Sequence, residues 1–185
     1  MENCNFLHGT KHWCGQGSAR LSVASGAPNY PPPAAALSLH YPPPYYSGNY
    51  LITSNRTQWW EGPAQTITDK LELFVVYQVS AWVRIGKHHG QTGPQKVNVC
   101  LGIDGKWVTG GEVEVDAHTW KETMGSFRLE KKPENVLVYA QGPKPGVDLL
   151  ISGMFILTCP EDPPSQTQVY YEHTFSRFPH PVGKL

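Results

Sequence analysis

The sequence predicts an all-β protein built as a two-sheet antiparallel β-sandwich. Helical periodicity is nearly absent along the 185 residues, whereas short apolar runs separated by turn residues recur throughout. Glycine (18) and proline (17) together approach a fifth of the chain, and aromatic residues are plentiful, which is typical of turn-rich β domains. The length suits one domain better than two.

Eight runs have the composition of strands: 19–25, 49–55, 71–85, 96–103, 111–117, 123–130, 135–141 and 147–157. Alternation with period two is clearest in GGEVEV and in NVLVYAQ. Turn signals separate most of the runs, at Asp104-Gly105, at Gly110-Gly111 and in GPKPG at 142–146. The runs and turns together predict the domain over residues 1–159.

Two proline-rich segments break this pattern. Residues 26–48 contain seven prolines, and proline cannot donate a hydrogen bond to a sheet. We interpret 26–48 as an extended insertion between two strands, with a peptide ligand for an aromatic groove as the alternative. Residues 160–185 are interpreted as a linker or a frayed terminus.

The charge balance limits the possible partners. The chain has 15 basic and 15 acidic residues, so its formal net charge is zero. This argues against nucleic acid and an anionic membrane surface, and it favours a neutral, polar partner for a monomeric protein. No apolar run approaches the ~20 residues of a membrane span, and MENCNFLHGTKHW lacks the features of a signal peptide.

The cysteines and histidines do not predict a metal site. No CxxC pair is present, and Cys4 and Cys159 flank the domain, so the sequence allows either a Cys4–Cys159 disulfide or four free thiols. Cys100 is expected to be a buried thiol. His88-His89 lie in a turn where adjacent side chains diverge, which favours a solvated loop. We expect no cofactor and no metal ion.

Catalytic motifs are also missing from the sequence. It contains no GxSxG, HExxH or P-loop. Glu112, Glu114 and Asp116 fall on one face of one predicted strand, whereas glycosidases place two carboxyl groups across a cleft ~5–9 Å apart. A solvated face on an edge strand is the simpler interpretation. We therefore expect a protein that is not an enzyme on its own.

The aromatic residues carry more information. In YQVSAWVRI, alternation predicts that Tyr77, Val79, Ala81, Val83 and Ile85 face the core, while Trp82 faces the other way. In NVLVYAQ, the same argument directs Tyr139 and Gln141 away from the core. If SNRTQWWEGPAQ is extended, Trp59 points inward and Trp60 outward. Trp107 lies in a nearby hairpin.

A sheet face with flat aromatic rings between amide and guanidinium groups suits a sugar polymer. Pyranose rings have apolar C–H faces that stack on aromatic rings, and their hydroxyls pair with planar polar groups. The alternative is that Trp60 and Trp82 pack beneath the proline-rich insertion. In that case the chain is a structural or protein-interaction β-sandwich that has lost sugar binding.

Four stretches resemble the family 22 carbohydrate-binding modules, most closely those that precede the catalytic domain of plant family 10 endo-1,4-β-xylanases. They are NCNFLHGTKHWCGQGSARLSV, SNRTQWWEGPAQ, YQVSAWVRIG and VYAQGPKPGVDLLISGMFI, and the resemblance covers residues 3–157. It implies a jelly roll whose concave face binds xylan or mixed-linkage glucan, with sugar stacking at Trp60, Tyr139 in the cleft and an aromatic near Trp107. It implies an extracellular or cell-wall location for the parent proteins.

Some positions depart from the family pattern. Gln16 and Gln141 stand where the family often has an arginine and a glutamate, so two charge-assisted hydrogen bonds are lost. Ser152 stands where many relatives have an acidic calcium ligand. The chain after the module is too short for the ~250 residues of a catalytic barrel, which predicts a lone module or a truncated gene product. Asn55-Arg56-Thr57 is a glycosylation sequon or simply a local turn.

Overall fold

The structure is a computed structural model that describes residues 1–29, 47–86 and 93–158. These residues form ten strands and a short 3-10 helix, Thr68–Lys70. The strands are β1 (Cys14–Gly15), β2 (Arg20–Ser25), β3 (Asn49–Ser54), β4 (Pro63–Thr66), β5 (Val76–Ile85), β6 (Gln95–Ile103), β7 (Lys106–Val115), β8 (Lys121–Arg128), β9 (Val136–Gln141) and β10 (Leu149–Thr158). The prediction of an all-β fold is confirmed.

The strands form two antiparallel sheets of five strands each. Sheet one has the order β1-β4-β9-β6-β7, and sheet two has the order β2-β3-β10-β5-β8. The chain passes repeatedly from one sheet to the other, so most neighbours within a sheet are distant in sequence. This is the arrangement of a jelly-roll sandwich, in which two packed sheets share one core.

The core lies between the two sheets and follows the predicted alternation. On β5 it contains Tyr77, Val79, Ala81, Val83 and Ile85, none more than 5% exposed. Sheet one contributes alternate residues of β6 and β9, namely Val97, Val99, Leu101, Ile103, Val136, Val138 and Ala140. Because side chains alternate across a strand, the residues between them on β6 and β9 lie on the outer face of sheet one.

A β-bulge in β7 decides which of its residues share that outer face. Asn98 on β6 is paired with Glu112, but Cys100 is paired with Thr109, so β7 has an extra residue here. The bulge contains Gly110-Gly111, which we expected to be a turn. A Cβ atom on Gly111 would lie 2.0 Å from the main-chain oxygen of Met124 on β8, so a side chain does not fit.

Other boundaries also differ from the prediction. Strand β5 begins at Val76 rather than at residue 71, because the 3-10 helix and a turn at Leu73-Phe74 precede it. Strands β1 and β4 were not predicted. They have only two and four residues, which is too short to show alternation.

The ends of the proline-rich insertion are joined at sheet two. The main-chain N–H groups of Gly26 and Ala27 both donate to the oxygen of Gly48, at 2.8 and 3.0 Å. Residues 30–46, His88-His89 and 159–185 lie outside the described part of the chain, so the choice between a Cys4–Cys159 disulfide and four free thiols also falls outside it. Cys4, Cys14 and Cys100 form no disulfide with one another, and Cys100 is buried as expected.

Candidate functional site

The outer face of sheet one carries two rows of partner residues that cross the strands. The rows are Ala64–Tyr139–Cys100–Thr109 and Gln141–Asn98–Glu112. Their sequence neighbours fill the core, so these side chains point away from it. The loop between β3 and β4 lies beside these rows and contributes the tryptophan pair.

Seven residues on this face and in the loops beside it enclose a depression of about 430 Å³, which we call the aromatic groove. They are Gln16, Trp59, Trp60, Trp107, Thr109, Tyr139 and Gln141. All of these side chains are uncharged. Five of the six residues that the sequence nominated for ligand binding therefore come together here: Gln16, Trp60, Trp107, Tyr139 and Gln141.

Both members of the tryptophan pair line the groove, so the prediction of an inward Trp59 is wrong. Trp59 is 57% exposed and Trp60 is 41% exposed. The prediction assumed a strand, but residues 58–60 form a turn, in which neighbouring side chains need not alternate. The turn therefore directs two large apolar rings toward solvent, an arrangement that indicates a binding surface.

Trp82, the sixth nominated residue, lies elsewhere. It is on β5 in sheet two and is paired with Glu122 on β8. The expectation that Trp82 shares a face with Tyr139 is wrong, because the two side chains belong to outer faces on opposite sides of the sandwich. Alternation gives the face of a strand but not the sheet in which the strand lies.

Tyr139 forms the floor of the aromatic groove. Its side chain is buried, and its hydroxyl donates to Oε1 of Gln141 at 3.1 Å. The Trp107 ring meets the Tyr139 ring edge-on, with centroids 5.2 Å apart and planes at 77°, a favoured aromatic geometry. Burial raises the pKa of Tyr139 well above its usual value, so the phenol stays a neutral donor that orients the Gln141 amide.

Trp107 needs a glycine beside it on β6. A Cβ atom on Gly102 would lie 2.5 Å from Cζ3 of Trp107. The ring rests against this bare main chain and remains 60% exposed. Its other surface is therefore open to a ligand.

Gln16 offers the groove an unused acceptor. Its main-chain N–H donates to the oxygen of Gly62 at 2.9 Å, which fixes its position beside the tryptophan turn. Its Oε1 atom is buried and accepts no hydrogen bond within the described chain. A buried polar atom without a partner is costly and uncommon, and a hydroxyl donor on a bound ligand would satisfy it.

Arg56 organises the tryptophan turn from beneath. The residue is only 3% exposed, and its guanidinium donates to five main-chain oxygens at 2.6–3.2 Å. The acceptors are Trp59, Glu61, Pro143, Lys144 and Val147. Five is the full donor capacity of an arginine, so one side chain ties the turn to the loop after β9. Burial lowers the pKa of Arg56 to about 10, which leaves it charged at neutral pH.

Glu61 ties the same turn to the loop between β1 and β2. Its carboxylate accepts from the main-chain N–H groups of Ser18, Thr57 and Gln58, and also from the Ser18 hydroxyl. These hydrogen bonds, led by the one from the Ser18 main chain, lower the pKa of Glu61 from 4.5 to about 2. A Cβ atom on Gly17 would lie 2.3 Å from Oε1 of Glu61, so this contact requires glycine.

Asn55, the asparagine of the sequon, lies at the start of this loop. It has a positive φ of 56°, and its Nδ2 atom donates to the main-chain oxygen of Ser18 at 2.9 Å. Asparagine tolerates this left-handed conformation better than most residues. These contacts support a role for Asn55 in the local turn.

A second depression, which we call the charged trough, adjoins the aromatic groove and has a volume of about 500 Å³. Trp59 and Gln141 line both depressions. The other residues of the trough are Pro94, Gln95, Lys96, Asn98, Glu112, Glu114, Gly142, Pro143 and Lys144. Glu112 and Glu114 of the predicted acidic row lie on β7, which is an edge strand as expected. Asp116 lies beyond the end of β7, and its carboxylate accepts from the N–H groups of His118 and Thr119.

Ser152 stands at the position where the family resemblance implies an acidic calcium ligand in many relatives. Ser152 is buried, and its hydroxyl donates to the main-chain oxygen of Asn49 at 3.1 Å. A serine supplies no charge to a cation that prefers carboxylates. Within residues 1–29, 47–86 and 93–158, no group of three or more His, Cys, Asp or Glu side chains is placed to bind a metal.

The carbohydrate binding domain family matches residues 1–146 of the chain. The chain belongs to this family. The carbohydrate binding domain is 50% identical over 157 residues to endo-1,4-beta-xylanase 2 of Arabidopsis thaliana, an alignment that covers 84% of this chain and 15% of the relative. Endo-1,4-beta-xylanase 3 of the same plant is 50% identical over 162 residues, with 84% of this chain and 21% of the relative covered. The domain thus spans about a fifth or less of the length of these relatives.

Solved structures share this fold. The CBM22-2 xylan-binding domain of Paenibacillus barcinonensis Xyn10C superposes with a TM-score of 0.66 at 15% identity, covering 84% of this chain and 97% of that domain. The predicted resemblance to family 22 modules of plant xylanases is confirmed, and the family match confirms the prediction of a carbohydrate-binding module. Among the described residues, no helix is long and apolar enough to cross a membrane.

The sequence did not reveal several residues that build the site of this carbohydrate binding domain. Trp59 and Thr109 line the groove, while Arg56 and Glu61 position it through the main chain. A signal for the last two was present, since an arginine and a glutamate flank the tryptophan pair in NRTQWWEG. Charged residues beside exposed apolar ones suggest solvation, and only the fold shows that both are buried.

Proposed function

We propose that this carbohydrate binding domain binds β-1,4-xylan, or a related β-linked polysaccharide of the plant cell wall, along the aromatic groove. One observation carries the proposal: three exposed tryptophans surround the hydrogen-bonded Tyr139–Gln141 pair in a depression lined by uncharged side chains. The plant relatives are named as xylanases, and the superposed domain is named as xylan-binding. Both names support the choice of polysaccharide.

Binding would rest first on stacking. The apolar faces of sugar rings would lie against the exposed tryptophans, and Trp60 and Trp107 are 41% and 60% exposed in the absence of ligand. Burial of these rings supplies most of the free energy, since aromatic side chains bury large areas at little cost in conformational entropy. No charge is required on the ligand.

Hydrogen bonds would then select the sugar and its orientation. Gln141 accepts from the Tyr139 hydroxyl through its Oε1 atom. Its amide nitrogen makes no hydrogen bond within the described chain. Gln16 has the complementary open acceptor. The two amides therefore offer a donor and an acceptor to sugar hydroxyls in the groove.

We propose further that the domain serves as the accessory module of a longer xylanase and acts outside the cell, in the cell wall. There it would hold a hydrolase close to its insoluble substrate. The relatives support this role, because the domain corresponds to only 15–21% of their length.

Affinity electrophoresis in native gels tests the proposal. The purified protein should be retarded by xylan in the gel and not by an α-linked glucan, and the retardation should increase with the xylan concentration. Normal thermal unfolding without retardation by any β-linked polysaccharide would contradict the proposal. A protein-interaction sandwich would then be the better interpretation.

A further inference from the structure

The aromatic groove does not end at Gln141, because the charged trough continues it. Trp59 and Gln141 line both depressions, so the two are contiguous. Along β6, Gly102 lies opposite Trp107 at one end, and Lys96 lies opposite Glu114 at the other. These two positions are six residues apart, which corresponds to roughly 20 Å of strand.

The two halves differ in chemistry. The charged trough contains two lysines and two glutamates, Lys96, Lys144, Glu112 and Glu114, whereas the aromatic groove has none. Only Trp59, which the halves share, supplies an aromatic ring to the trough. A sugar in the trough would therefore be bound by hydrogen bonds rather than by stacking.

Glu112 is the best-oriented acceptor in the charged trough. Nζ of Lys96 lies 2.8 Å from its Oε1 atom, and Nδ2 of Asn98 donates to its Oε2 atom at 3.3 Å. These contacts fix the plane of the carboxylate, and the Glu112 side chain is 23% exposed, so a ligand hydroxyl can reach it. Because all three residues are on paired strands, the orientation is set before a ligand arrives.

Gln141 connects the two halves. It is only 6% exposed, and its amide nitrogen is unused within the described residues while its oxygen is bound by Tyr139. Gln141 lines both depressions, so its amide nitrogen is placed to donate to a ligand oxygen at their junction. A chain that stacks in the aromatic groove would meet this donor and then enter the trough.

We propose that the charged trough is a second subsite for the same polysaccharide chain. It takes the sugar units that follow those in the aromatic groove and binds their hydroxyls through Glu112, Asn98 and Gln141. This inference rests on the proposed function. The balance of two cations and two anions favours a neutral polyol over an acidic substituent.

Calorimetric titration with linear β-1,4-xylo-oligosaccharides of increasing length tests the proposal. The parent protein should gain affinity when the oligosaccharide becomes long enough to reach past Gln141. Glu112→Ala should remove that gain, a loss of about tenfold or more for long ligands, and leave the affinity for short ligands unchanged. Glu134→Ala removes an exposed carboxylate that lines neither depression and is the matched control.

Three results would overturn the inference. The first is unchanged affinity of Glu112→Ala for long ligands, and the second is an equal loss for short and long ligands with normal thermal unfolding. The third is a loss confined to uronate-substituted xylan in Lys144→Met, which would assign the trough to acidic substituents instead. If the folded parent binds no oligosaccharide of any length, the proposed function itself fails, which is a different outcome from these three.

Discussion

The Nε atom of Arg56 donates to the main-chain oxygen of Glu61 at 2.6 Å, and not to its carboxylate. Both residues are 3% exposed. The carboxylate instead accepts from Ser18, Thr57 and Gln58. Two buried charges five residues apart thus fasten the tryptophan turn to two different loops, and the position of Trp59 and Trp60 depends on both.

Replacing Arg56 should disorder the groove. Arg56→Ala leaves several buried carbonyl groups without a donor and should lower the free energy of unfolding by about 3 kcal/mol. Arg56→Lys keeps the charge but has three donors instead of five, so its loss should be intermediate. Thermal and urea denaturation measure both, with Arg20→Lys on the exposed face of β2 as control. Equal stability of all three variants would show that the five hydrogen bonds contribute nothing.

Both tryptophans of the turn should contribute to binding and not to stability. Trp59→Ala and Trp60→Ala should each reduce xylan affinity by about 2 kcal/mol, or roughly thirtyfold, while the melting temperature changes little because both rings are exposed. Affinity electrophoresis and thermal melts provide the measurements. Phe74→Ala, an exposed aromatic outside the groove, is the control. Early unfolding of Trp59→Ala would restore the inward position that alternation predicted.

Trp82 should be irrelevant to the ligand. Because it lies on sheet two, Trp82→Ala should retain the xylan affinity of the parent even if its melting temperature falls. Titration of the folded variant with xylo-oligosaccharide checks this directly. A loss of affinity comparable to that of Trp60→Ala would contradict this prediction, because it would place a sugar-binding surface on sheet two.

The Tyr139 hydroxyl should act through Gln141. Tyr139→Phe keeps the ring against Trp107 but removes the donor to Gln141, so stability should fall by only about 1 kcal/mol. Affinity should fall several-fold, because the Gln141 amide is no longer oriented. In a double-mutant cycle with Gln141→Leu, the two affinity losses should not be additive. Full additivity would mean that the two residues act independently.

Stability should depend on the charge of Glu61 in acid. The pKa of Glu61 is about 2 in the folded protein and ordinarily 4.5. A carboxyl group whose pKa is lowered by folding stabilises the folded protein at pH values above its pKa in the unfolded chain. This contribution is lost as the pH falls from about 4.5 toward 2. Urea denaturation between pH 6 and pH 2 measures this loss. Glu61→Gln should be less stable at neutral pH and should have a flatter profile in that range, and parallel profiles for the two proteins would refute the assignment.

Much of the fold could be predicted because period-two alternation is a local property. It placed the core residues of β5 and the outward Tyr139 and Gln141 correctly. It could not place Trp82 relative to Tyr139, since the sheet in which each strand lies depends on long-range pairing. It failed at Trp59 because hydrogen bonds to the Glu61 carboxylate favour a turn over a strand. Gly110-Gly111 suggested a turn, but glycine is needed there for close approach to Met124.

Main-chain hydrogen bonds join Gly26 and Ala27 to Gly48, and they make the connection between β2 and β3 a suitable site for inserting foreign sequence. Its two ends are fixed to each other on sheet two, so the number of residues between them does not alter the register of the flanking strands. The groove is built on the other sheet. A fluorescent reporter or a second binding domain inserted at this connection would therefore be attached to sheet two, at a distance from the groove on sheet one.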